Sequence, residues 1–333
     1  MPPTSPRTVL LTGAAGFIGS HTAAALLARG DRVLGVDNFN DFYDPAIKRQ
    51  TVADLAAGPG GDRFECADAD IRDEAAMNAL VRDRGVQDII HLAARAGVRP
   101  SIEEPSLYAD VNLRGTTVLL EAARTAGVER FVMASSSSVY GNNEKVPFAE
   151  TDDVNEPISP YAATKRSCEL IAHTYHHLYG LPVACLRFFT VFGPRQRPDL
   201  AIMKFMRLMA AGEAIPMFGD GSTSRDYTFI DDIVTGVLAS LDRIPEHGYR
   251  IWNLGGNHPV SLKDMISTIG GALGVTPTIN TLPMQPGDVS RTYADLTRSG
   301  AELGYAPRTS FAEGVAKQWA WLSAQDPALA PRG

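Results

Sequence analysis

The sequence predicts an α/β protein with a doubly wound parallel sheet and a smaller mixed α/β lobe at its C-terminal end. In the first half of the chain, short apolar runs alternate with longer helical patterns, which is the spacing of repeated βαβ units. A glycine-rich turn follows the first apolar run and precedes the first helical pattern, as in parallel sheets of the Rossmann type. Beyond Gly193 the pattern becomes irregular and rich in turns, which indicates a lobe that caps the sheet.

The order of these runs gives the individual elements and a division into two parts. The strands are expected at 9–12, 32–37, 63–66, 88–92, 130–135 and 183–189, and the helices at 17–29, 74–84, 107–126 and 161–179. This alternation implies a buried parallel sheet with helices on both faces. We therefore expect a nucleotide-binding Rossmann domain at 1–190, to which later segments are free to return, and a substrate-binding lobe at 191–333.

The composition is that of an ordinary globular protein. Hydrophobic residues make up 44% of the 333 residues and charged residues 21%, which excludes disordered and fibrous classes. The 31 Lys and Arg against 38 Asp and Glu give a formal charge of −7, so the chain is a poor candidate for nucleic-acid binding. Its three cysteines have no CxxC spacing, which suits a reducing compartment. With no visible export signal or membrane-span pattern, we expect a cytoplasmic protein without a membrane partner.

Three glycines between the first strand and the first helix predict a nucleotide site. Gly13, Gly16 and Gly19 are spaced as GxxGxxG, which lets the backbone turn tightly and approach a pyrophosphate at the helix N-terminus. Asp37 ends the second strand, where a carboxylate bonds the adenine-ribose hydroxyls and repels a 2′-phosphate. The predicted cofactor is therefore NAD rather than NADP.

Other strand ends extend this predicted site. Asp70 and Ile71 follow the third strand, and the segment from His91 to Ala94 follows the fourth; structural roles are the alternative for both. The expected cofactor-binding residues are Gly13, Gly16, Phe17, Ile18, Gly19, Asp37, Asn38, Asp70, Ile71, Leu92, Ala93, Ala94, Asn112, Tyr161 and Lys165.

A tyrosine, a lysine and a run of serines predict the catalytic groups. Tyr161 and Lys165 are four residues apart and so lie on one face of a helix. A free tyrosine, with a pKa of about 10, is a poor base at neutral pH, but a neighbouring ammonium favours its phenolate. The four serines at 135–138 end a strand and can bring a hydroxyl beside the phenol. Such a set beside a nicotinamide is typical of hydride-transfer enzymes.

Together, these motifs resemble the extended short-chain dehydrogenase/reductase family over about residues 8 to 320. Six stretches further resemble UDP-glucuronate 4-epimerases: DNFNDFYDP at 37–45, AGVRPS at 96–101, ASSSSVYG at 134–141, RFFTVFGP at 187–194, RPDL at 197–200 and RDYTFIDD at 225–232. The resemblance implies an isomerase that interconverts UDP-glucuronate and UDP-galacturonate through a 4-keto sugar, with its NAD regenerated in each cycle. It also implies a homodimer paired through the helices expected at 107–126 and 161–179.

The resemblance also implies a role for each catalytic residue. Ser136 matches the family's catalytic Ser or Thr, and Tyr161 would take the proton from the sugar O4. Lys165 would hold the nicotinamide ribose and favour the tyrosine phenolate. In this family, Ser137 and Ser138 stand where dehydratases and decarboxylases carry an acid, so elimination would lack its general acid.

The expected substrate-binding residues also come from the resemblance. Arg225 and Arg291 match arginines that meet the diphosphate, and Asp288 a residue near the uridine ribose. Phe218 is expected near the uracil, with a core role as the alternative. The sugar carboxylate is assigned to the region of Thr190 and Arg197, with Arg99 and Arg195 as competing candidates. The full expected set is Arg99, Ser137, Ser138, Thr190, Arg197, Phe218, Arg225, Asp288 and Arg291.

Several other functions compete with this interpretation. A 4-epimerase of neutral sugars such as UDP-glucose or a UDP-N-acetylhexosamine would need no carboxylate-binding group near Thr190. A UDP-glucuronate decarboxylase is disfavoured by Ser138, and a non-catalytic NAD-binding regulator by the intact catalytic residues. We expect no metal site, because His173 and His177 share a helix face without an obvious third ligand.

Overall fold

A seven-stranded parallel sheet organises the protein. The computed structural model describes residues 6–283, 290–326 and Leu329. The strands are β1 Thr8–Thr12, β2 Arg32–Asp37, β3 Phe64–Asp68, β4 Asp88–His91, β5 Arg130–Ser136, β6 Val183–Phe188 and, after the strands of the small lobe, β10 Tyr249–Leu254. Their spatial order is β10-β6-β5-β4-β1-β2-β3, and every neighbouring pair is parallel. The predicted doubly wound α/β fold is thus confirmed.

Helices cover both faces of this sheet because strand side chains alternate between the faces. The helices of the sheet are α1 Phe17–Arg29, α2 Pro45–Ala57, α3 Glu74–Asp83, α4 Val98–Glu103, α5 Pro105–Tyr108, α6 Gly115–Ala126, α7 Pro160–Tyr179 and α9 Ile230–His247. On β1, Val9 and Leu11 pack in one core cluster, which also holds Ala23 and Leu26 of α1 and Ile233 of α9. The opposite cluster holds Leu10 of β1 together with residues of α3, α6 and α7.

Several segments beyond residue 190 return to the first sheet. Helix α9 packs against β5, β6 and β10, and β10 pairs in register with β6 from Tyr249 opposite Val183 to Leu254 opposite Phe188. The expected boundary at residue 190 therefore separates the two parts along the sequence. The seven-stranded sheet, however, contains residues from both sides of that boundary.

A smaller mixed lobe follows β6, as expected. Its strands are β7 Thr190–Phe192, β8 Ile215–Phe218, β9 Ser224–Phe229, β11 Pro259–Ser261 and β12 Ile279–Leu282, arranged in sheets of order β11-β9-β7 and β12-β8. Its helices are α8 Ala201–Ala210, α10 Leu262–Leu273 and α12 Phe311–Gln325, whereas α11 Thr297–Leu303 packs against α9 and β10 of the first sheet. Met206, Ile269 and Trp319 belong to a separate hydrophobic core in this lobe. In the described part of the chain, no helix has the length and apolar character needed to cross a membrane.

Candidate active site

One cavity of about 560 Å³ opens at the carboxyl ends of the parallel strands. Ligands bind there in doubly wound folds, since the strand order reverses between β1 and β4 and leaves a crevice. Most of the predicted site residues line this one cavity: Gly13, Gly16, Phe17, Ile18, Gly19, Asp37, Asn38, Asp70, Ile71, Leu92, Ala93, Ala94, Ser136, Ser137, Ser138, Tyr161, Lys165, Thr190 and Arg197.

The glycine turn forms a cradle that other residues would fill. Gly13 has a φ of 71° and donates its N–H to the carbonyl oxygen of Val36 over 2.7 Å. A Cβ built on Gly19 would lie 2.0 Å from the carbonyl oxygen of Gly13, so the turn excludes any side chain there. The N-cap of α1, Gly16, places no side chain over the first N–H groups of the helix. This cradle fits the pyrophosphate of a dinucleotide.

Asp37 ends β2 and is paired with a lysine that the sequence analysis did not identify. Its Oδ1 accepts hydrogen bonds from the N–H of Phe39 over 2.9 Å and from Nζ of Lys48 over 3.4 Å. Lys48 comes from α2, lines the same cavity and is 5% exposed. A buried ammonium beside a predicted ribose-binding carboxylate therefore belongs to this end of the cavity.

Asp70 is held by its neighbour Arg72. The carboxylate accepts bonds from the backbone N and the side chain of Arg72, and from Nδ2 of Asn38 over 3.0 Å. The Arg72 hydrogen bonds lower the pKa of Asp70 well below its usual range. Both Asp70 and Asn38 line the cavity, so this pairing joins the ends of β2 and β3.

His91 is buried behind the cavity in a chain of hydrogen bonds. Thr116 donates its hydroxyl hydrogen to the carbonyl oxygen of Asn112 over 2.6 Å, so its oxygen accepts a hydrogen bond from the Nε2–H of His91, 3.0 Å away. Nδ1 then accepts from the hydroxyl of Thr12 over 2.7 Å, and that oxygen accepts from the N–H of Ala93 over 3.2 Å. His91 is thus neutral with its proton on Nε2, and it orders the segment that lines the cavity.

Asn112 has a supporting position outside the cavity lining. It lies in a π-helical turn at Ala109–Arg114, between α5 and α6, and it is buried. Its side-chain amide bonds both the N–H and the carbonyl oxygen of Arg95 and donates to Thr164 Oγ1. Arg95 does line the cavity, so Asn112 supports the predicted cofactor site indirectly, by holding the backbone at Arg95 in place.

The predicted catalytic residues meet where β5 ends and α7 begins. Lys165 donates from Nζ to the carbonyl oxygen of Ala134 over 2.8 Å. The hydroxyl of Ser136 accepts from the N–H of Ser138 and donates to its Oγ, each over 3.1 Å. Tyr161 stands one turn before Lys165, with the ring of Tyr108 edge-on at 6.2 Å. A hydroxyl, a phenol and an ammonium thus line one wall of the cavity.

A buried ion pair between Glu169 and Arg187 lies behind this wall of the cavity, and sequence analysis did not identify it. Glu169 accepts bonds from Arg187 Nε and Nη2, each over 2.9 Å, and from the hydroxyl of Ser135 over 2.6 Å. Burial opposes the charged form of Glu169, but these bonds and the charge of Arg187 outweigh it and lower the pKa. The pair links α7 to β5 and β6 directly beneath the serine run.

The predicted substrate residues fall into separate groups. Thr190 and Arg197 line the cavity, and the guanidinium of Arg99 lies 5.4 Å from the ring centroid of Phe218. Arg225 and Arg291 lie in adjacent backbone segments, since Ser224 bridges to Arg291. Arg291 donates to the carbonyl oxygen of Glu144 over 3.0 Å. Asp288 lies outside the described residues.

The prediction that the protein has no metal site is based on one histidine pair. His173 and His177 stack with their ring centroids 6.3 Å apart on α7. Within 6–283 and 290–326, the structure brings together no group of three metal-ligating side chains.

Fold and site define a Rossmann-type nucleotide-binding protein with the tyrosine–lysine arrangement of a short-chain dehydrogenase/reductase. Residues 10–318 match the model of the GDP-mannose 4,6 dehydratase family, and the chain belongs to this family of extended short-chain dehydrogenases/reductases. A probable UDP-glucuronate 4-epimerase of Rhizobium meliloti (strain 1021) is 41% identical over 94% of this chain and 96% of its own length. UDP-glucuronate 4-epimerase 3 of Arabidopsis thaliana is 43% identical over 94% of this chain and 76% of its own.

A solved structure extends this similarity to three dimensions. UDP-glucuronic acid 4-epimerase from Bacillus cereus, in complex with UDP-glucuronic acid and NAD, superposes with a TM-score of 0.88 at 35% identity. The superposition covers 96% of this chain and 99% of that one. The expected membership in the extended short-chain dehydrogenase/reductase family is confirmed.

Proposed function

We propose that this protein is an NAD-dependent 4-epimerase that interconverts UDP-glucuronate and UDP-galacturonate through a 4-keto intermediate. The observation that carries this proposal is the single cavity that joins the glycine cradle to Ser136, Tyr161 and Lys165. The similarity to UDP-glucuronate 4-epimerases over nearly the whole chain supports the choice of substrate.

The chain's own residues would move the proton and hold the reactants. Tyr161, as phenolate, takes the proton of the sugar O4 and returns it to the same oxygen after the keto sugar has turned over. Ser136 donates a hydrogen bond to O4, and Lys165 holds the nicotinamide ribose while its charge favours the phenolate. Bound NAD supplies a hydride acceptor for C4 and a donor for the opposite face of the resulting ketone. Gly13, Asp37 and the segment 92–94 would hold that dinucleotide.

The distribution of carboxylates opposes elimination and decarboxylation. Among the described residues that line the cavity, the acidic ones are Asp37 and Asp70, at the ends of β2 and β3. The serine run at the end of β5 supplies hydroxyls where a dehydration would need a general acid. The family model carries the name of a dehydratase, but these groups favour a hydride transfer without loss of water.

The substrate's remaining parts are assigned to residues of both lobes. Arg225 and Arg291 would bind the diphosphate, Asp288 the uridine ribose and Phe218 the uracil. Thr190, Ser137, Ser138 and Arg197 would surround the hexose, with Arg197 or Arg99 on its carboxylate. We further propose that residues 1–190, completed by α9, β10 and α11, bind NAD and that the rest of 191–333 binds the UDP-sugar.

We also propose a cytoplasmic homodimer paired through α6 and α7. Leu170 and Leu178 on α7 are exposed large apolar side chains, and exposed apolar surface of this kind suits a partner helix pair. All three cysteines are free thiols, as suits a reducing compartment. Light scattering of the purified protein would give its mass, with a Leu178→Lys variant as the test of this face.

Proton NMR of the purified protein with UDP-glucuronate and no added cofactor tests the activity. Growth of UDP-galacturonate signals without a pentose is the expected result, and a Tyr161→Phe variant serves as the inactive control. A UDP-pentose would identify a decarboxylase instead. If neither product forms even after NAD is added, while UDP-glucose is converted, the substrate is a neutral UDP-hexose. No conversion of either sugar would leave a binding role.

A further inference from the structure

The guanidinium of Arg197 already holds a carboxylate in the geometry that a uronate would use. Its Nε donates to Asp199 Oδ1 over 3.0 Å, and its Nη2 donates to Asp199 Oδ2 over 2.9 Å. Two parallel hydrogen bonds of this kind are the preferred way for arginine to bind a carboxylate. The edge of the guanidinium that a sugar carboxylate would contact is therefore taken by a residue of the chain.

The face of the same guanidinium is held separately from its edge. Arg197 lies 4.9 Å from the ring centroid of Phe42, and Arg95 lies 5.3 Å from the same centroid. Arg95, Phe42 and Arg197 all line the cavity. The stacking contact fixes the plane of Arg197 through the loop after β2, so its orientation does not depend on Asp199 alone.

The two partners of the ion pair differ in exposure. The Arg197 side chain is 18% exposed, whereas that of Asp199 is 45% exposed. A carboxylate that is half in water is readily hydrated when it turns away from its partner, so releasing Asp199 costs little free energy, while the guanidinium stays against Phe42. The arrangement therefore permits one carboxylate to replace another on a stationary cation.

We propose that Asp199 is an internal competitor for Arg197 and that the carboxylate of UDP-glucuronate binds by displacing it. This inference rests on the proposed function, and it deepens it by naming a residue that sets specificity. The exchange leaves Arg197 paired with a carboxylate both before and after binding, so neither state holds this guanidinium without a counter-charge. A neutral UDP-hexose gives no carboxylate for the exchange and leaves the Arg197–Asp199 pair in place.

Competition from Asp199 should weaken the binding of UDP-glucuronate, and this effect can be measured. The net free energy that the sugar carboxylate gains from Arg197 is the difference between two similar ion pairs. Removing the charge of Asp199 removes the competitor, so Asp199→Asn should bind UDP-glucuronate more tightly. Exposed ion pairs are weak, which limits the expected gain to roughly three- to tenfold. Binding of UDP-glucose should stay within about twofold of wild type, because it never displaces Asp199.

The experiment compares Asp199→Asn with a matched control on the NAD-containing enzyme. Asp83→Asn makes the same charge change in an exposed pair with Arg82, far from the cavity lining. Calorimetric titration with UDP-glucuronate and with UDP-glucose gives the dissociation constants, and NMR rates give KM and kcat. We expect a lower dissociation constant and KM for UDP-glucuronate in Asp199→Asn, an unchanged kcat, and wild-type values throughout for Asp83→Asn.

Two results would overturn the proposal. An unchanged affinity for UDP-glucuronate would mean that Asp199 does not compete, and a weaker one that it positions Arg197 for the substrate. If Asp199→Asn loses bound NAD or melts early, Asp199→Ser repeats the test. The titration also separates this proposal from the activity, since wild type that binds UDP-glucuronate without converting it would contradict the epimerase alone.

Discussion

Lys165 and Ala134 are joined by a hydrogen bond of 2.8 Å from the ammonium to the backbone carbonyl oxygen. The bond ties α7 to β5 just before the serine run, so the ammonium, Tyr161 and Ser136 share one wall of the cavity. Lys165 is 5% exposed, and so its position is set by protein contacts rather than by solvent. A lysine held in this way is preorganised for the role proposed for it, which is to bind the nicotinamide ribose and favour the phenolate.

Replacing the ammonium of Lys165 should greatly reduce the rate of epimerisation while changing the stability of the fold little. For Lys165→Met we expect kcat to fall by about 10²- to 10⁴-fold, the usual contribution of a positioned acid–base group. Proton NMR with UDP-glucuronate measures the rate, and the nucleotide released on denaturation measures bound NAD. Lys204→Met, on an exposed position of α8, is the matched control. A kcat per bound NAD equal to wild type would remove Lys165 from the chemical step.

The buried Glu169–Arg187 pair should control stability. Glu169 is fully buried and Arg187 is 1% exposed, so Glu169→Gln leaves a guanidinium without its counter-charge inside the protein. Breaking such a pair typically costs about 3–5 kcal/mol of the free energy of unfolding. Urea unfolding followed by circular dichroism measures this loss. The double variant Glu169→Gln with Arg187→Met should recover part of it, because the unpaired charge is then gone.

A small effect would contradict this account of the pair. If Glu169→Gln lost less than about 1 kcal/mol, water or a neighbour would have to compensate Arg187. Lys317→Met provides the contrast, since its pair with Glu313 is about half exposed and should contribute little.

His91 should make stability depend on pH. Burial, with a smaller contribution from the charge of Lys165, lowers its pKa to about 3, whereas an unfolded histidine titrates near about 6.5. The folded protein therefore holds neutral His91 while the unfolded chain takes up a proton. This contribution to stability is complete above about pH 6.5 and is lost as the pH falls towards about 3.

A variant isolates this contribution from the other titrating groups. Between about pH 6.5 and 5 the loss amounts to about 2 kcal/mol, at roughly 1.4 kcal/mol for each pH unit. Urea unfolding of wild type and His91→Gln at about pH 7 and about pH 5 gives the difference, in which carboxylates and His21 cancel. The wild type should lose about 2 kcal/mol more than the variant over this interval. Parallel losses would show that His91 is not held neutral.

The residues that sequence analysis found are those whose signals are local. The glycine turn, Asp37 and the pair Tyr161 and Lys165 each depend on a few neighbouring positions, and a helix turn or strand end brings those together. Their alignment along one cavity follows from the parallel sheet, because the carboxyl ends of its strands share an edge. The fold class and the position of Ser136, Tyr161 and Lys165 along one cavity were therefore predictable from the chain.

The elements that sequence analysis did not identify depend on distant contacts. Strand β10 pairs with β6 across 66 residues at Tyr249 and Val183, and no local pattern signals that return. Helix α2 buries Lys48, Thr51 and Leu55, so the apolar spacing that predicts a helix is absent there. The cavity position of Lys48 follows from its pairing with Asp37, which sequence alone does not reveal.

The pairing of Asp37 with Lys48 predicts a change of cofactor preference. In Asp37→Asn the ribose loses a charged acceptor, and the buried ammonium of Lys48 loses its carboxylate. Charge-assisted bonds contribute about 1.5–3 kcal/mol, so NAD affinity should fall about 10- to 100-fold. A 2′-phosphate is no longer repelled and gains a cation, so the ratio of NADP to NAD affinity should rise. Nucleotide exchange followed by chromatography of the bound cofactor measures both affinities.

Two variants make this prediction specific to the pair. Asp68→Asn has the same charge change near the end of β3, in an exposed pair with Arg49, and should leave the preference for NAD intact. Adding Lys48→Met to Asp37→Asn removes the cation, so the rise in the ratio of NADP to NAD affinity should become smaller while NAD binding stays weak. If the double variant kept the whole of that rise, loss of repulsion alone would account for it. Lys48 would then have no part in discriminating the two cofactors, and Asp37 would act by its charge on the 2′-phosphate.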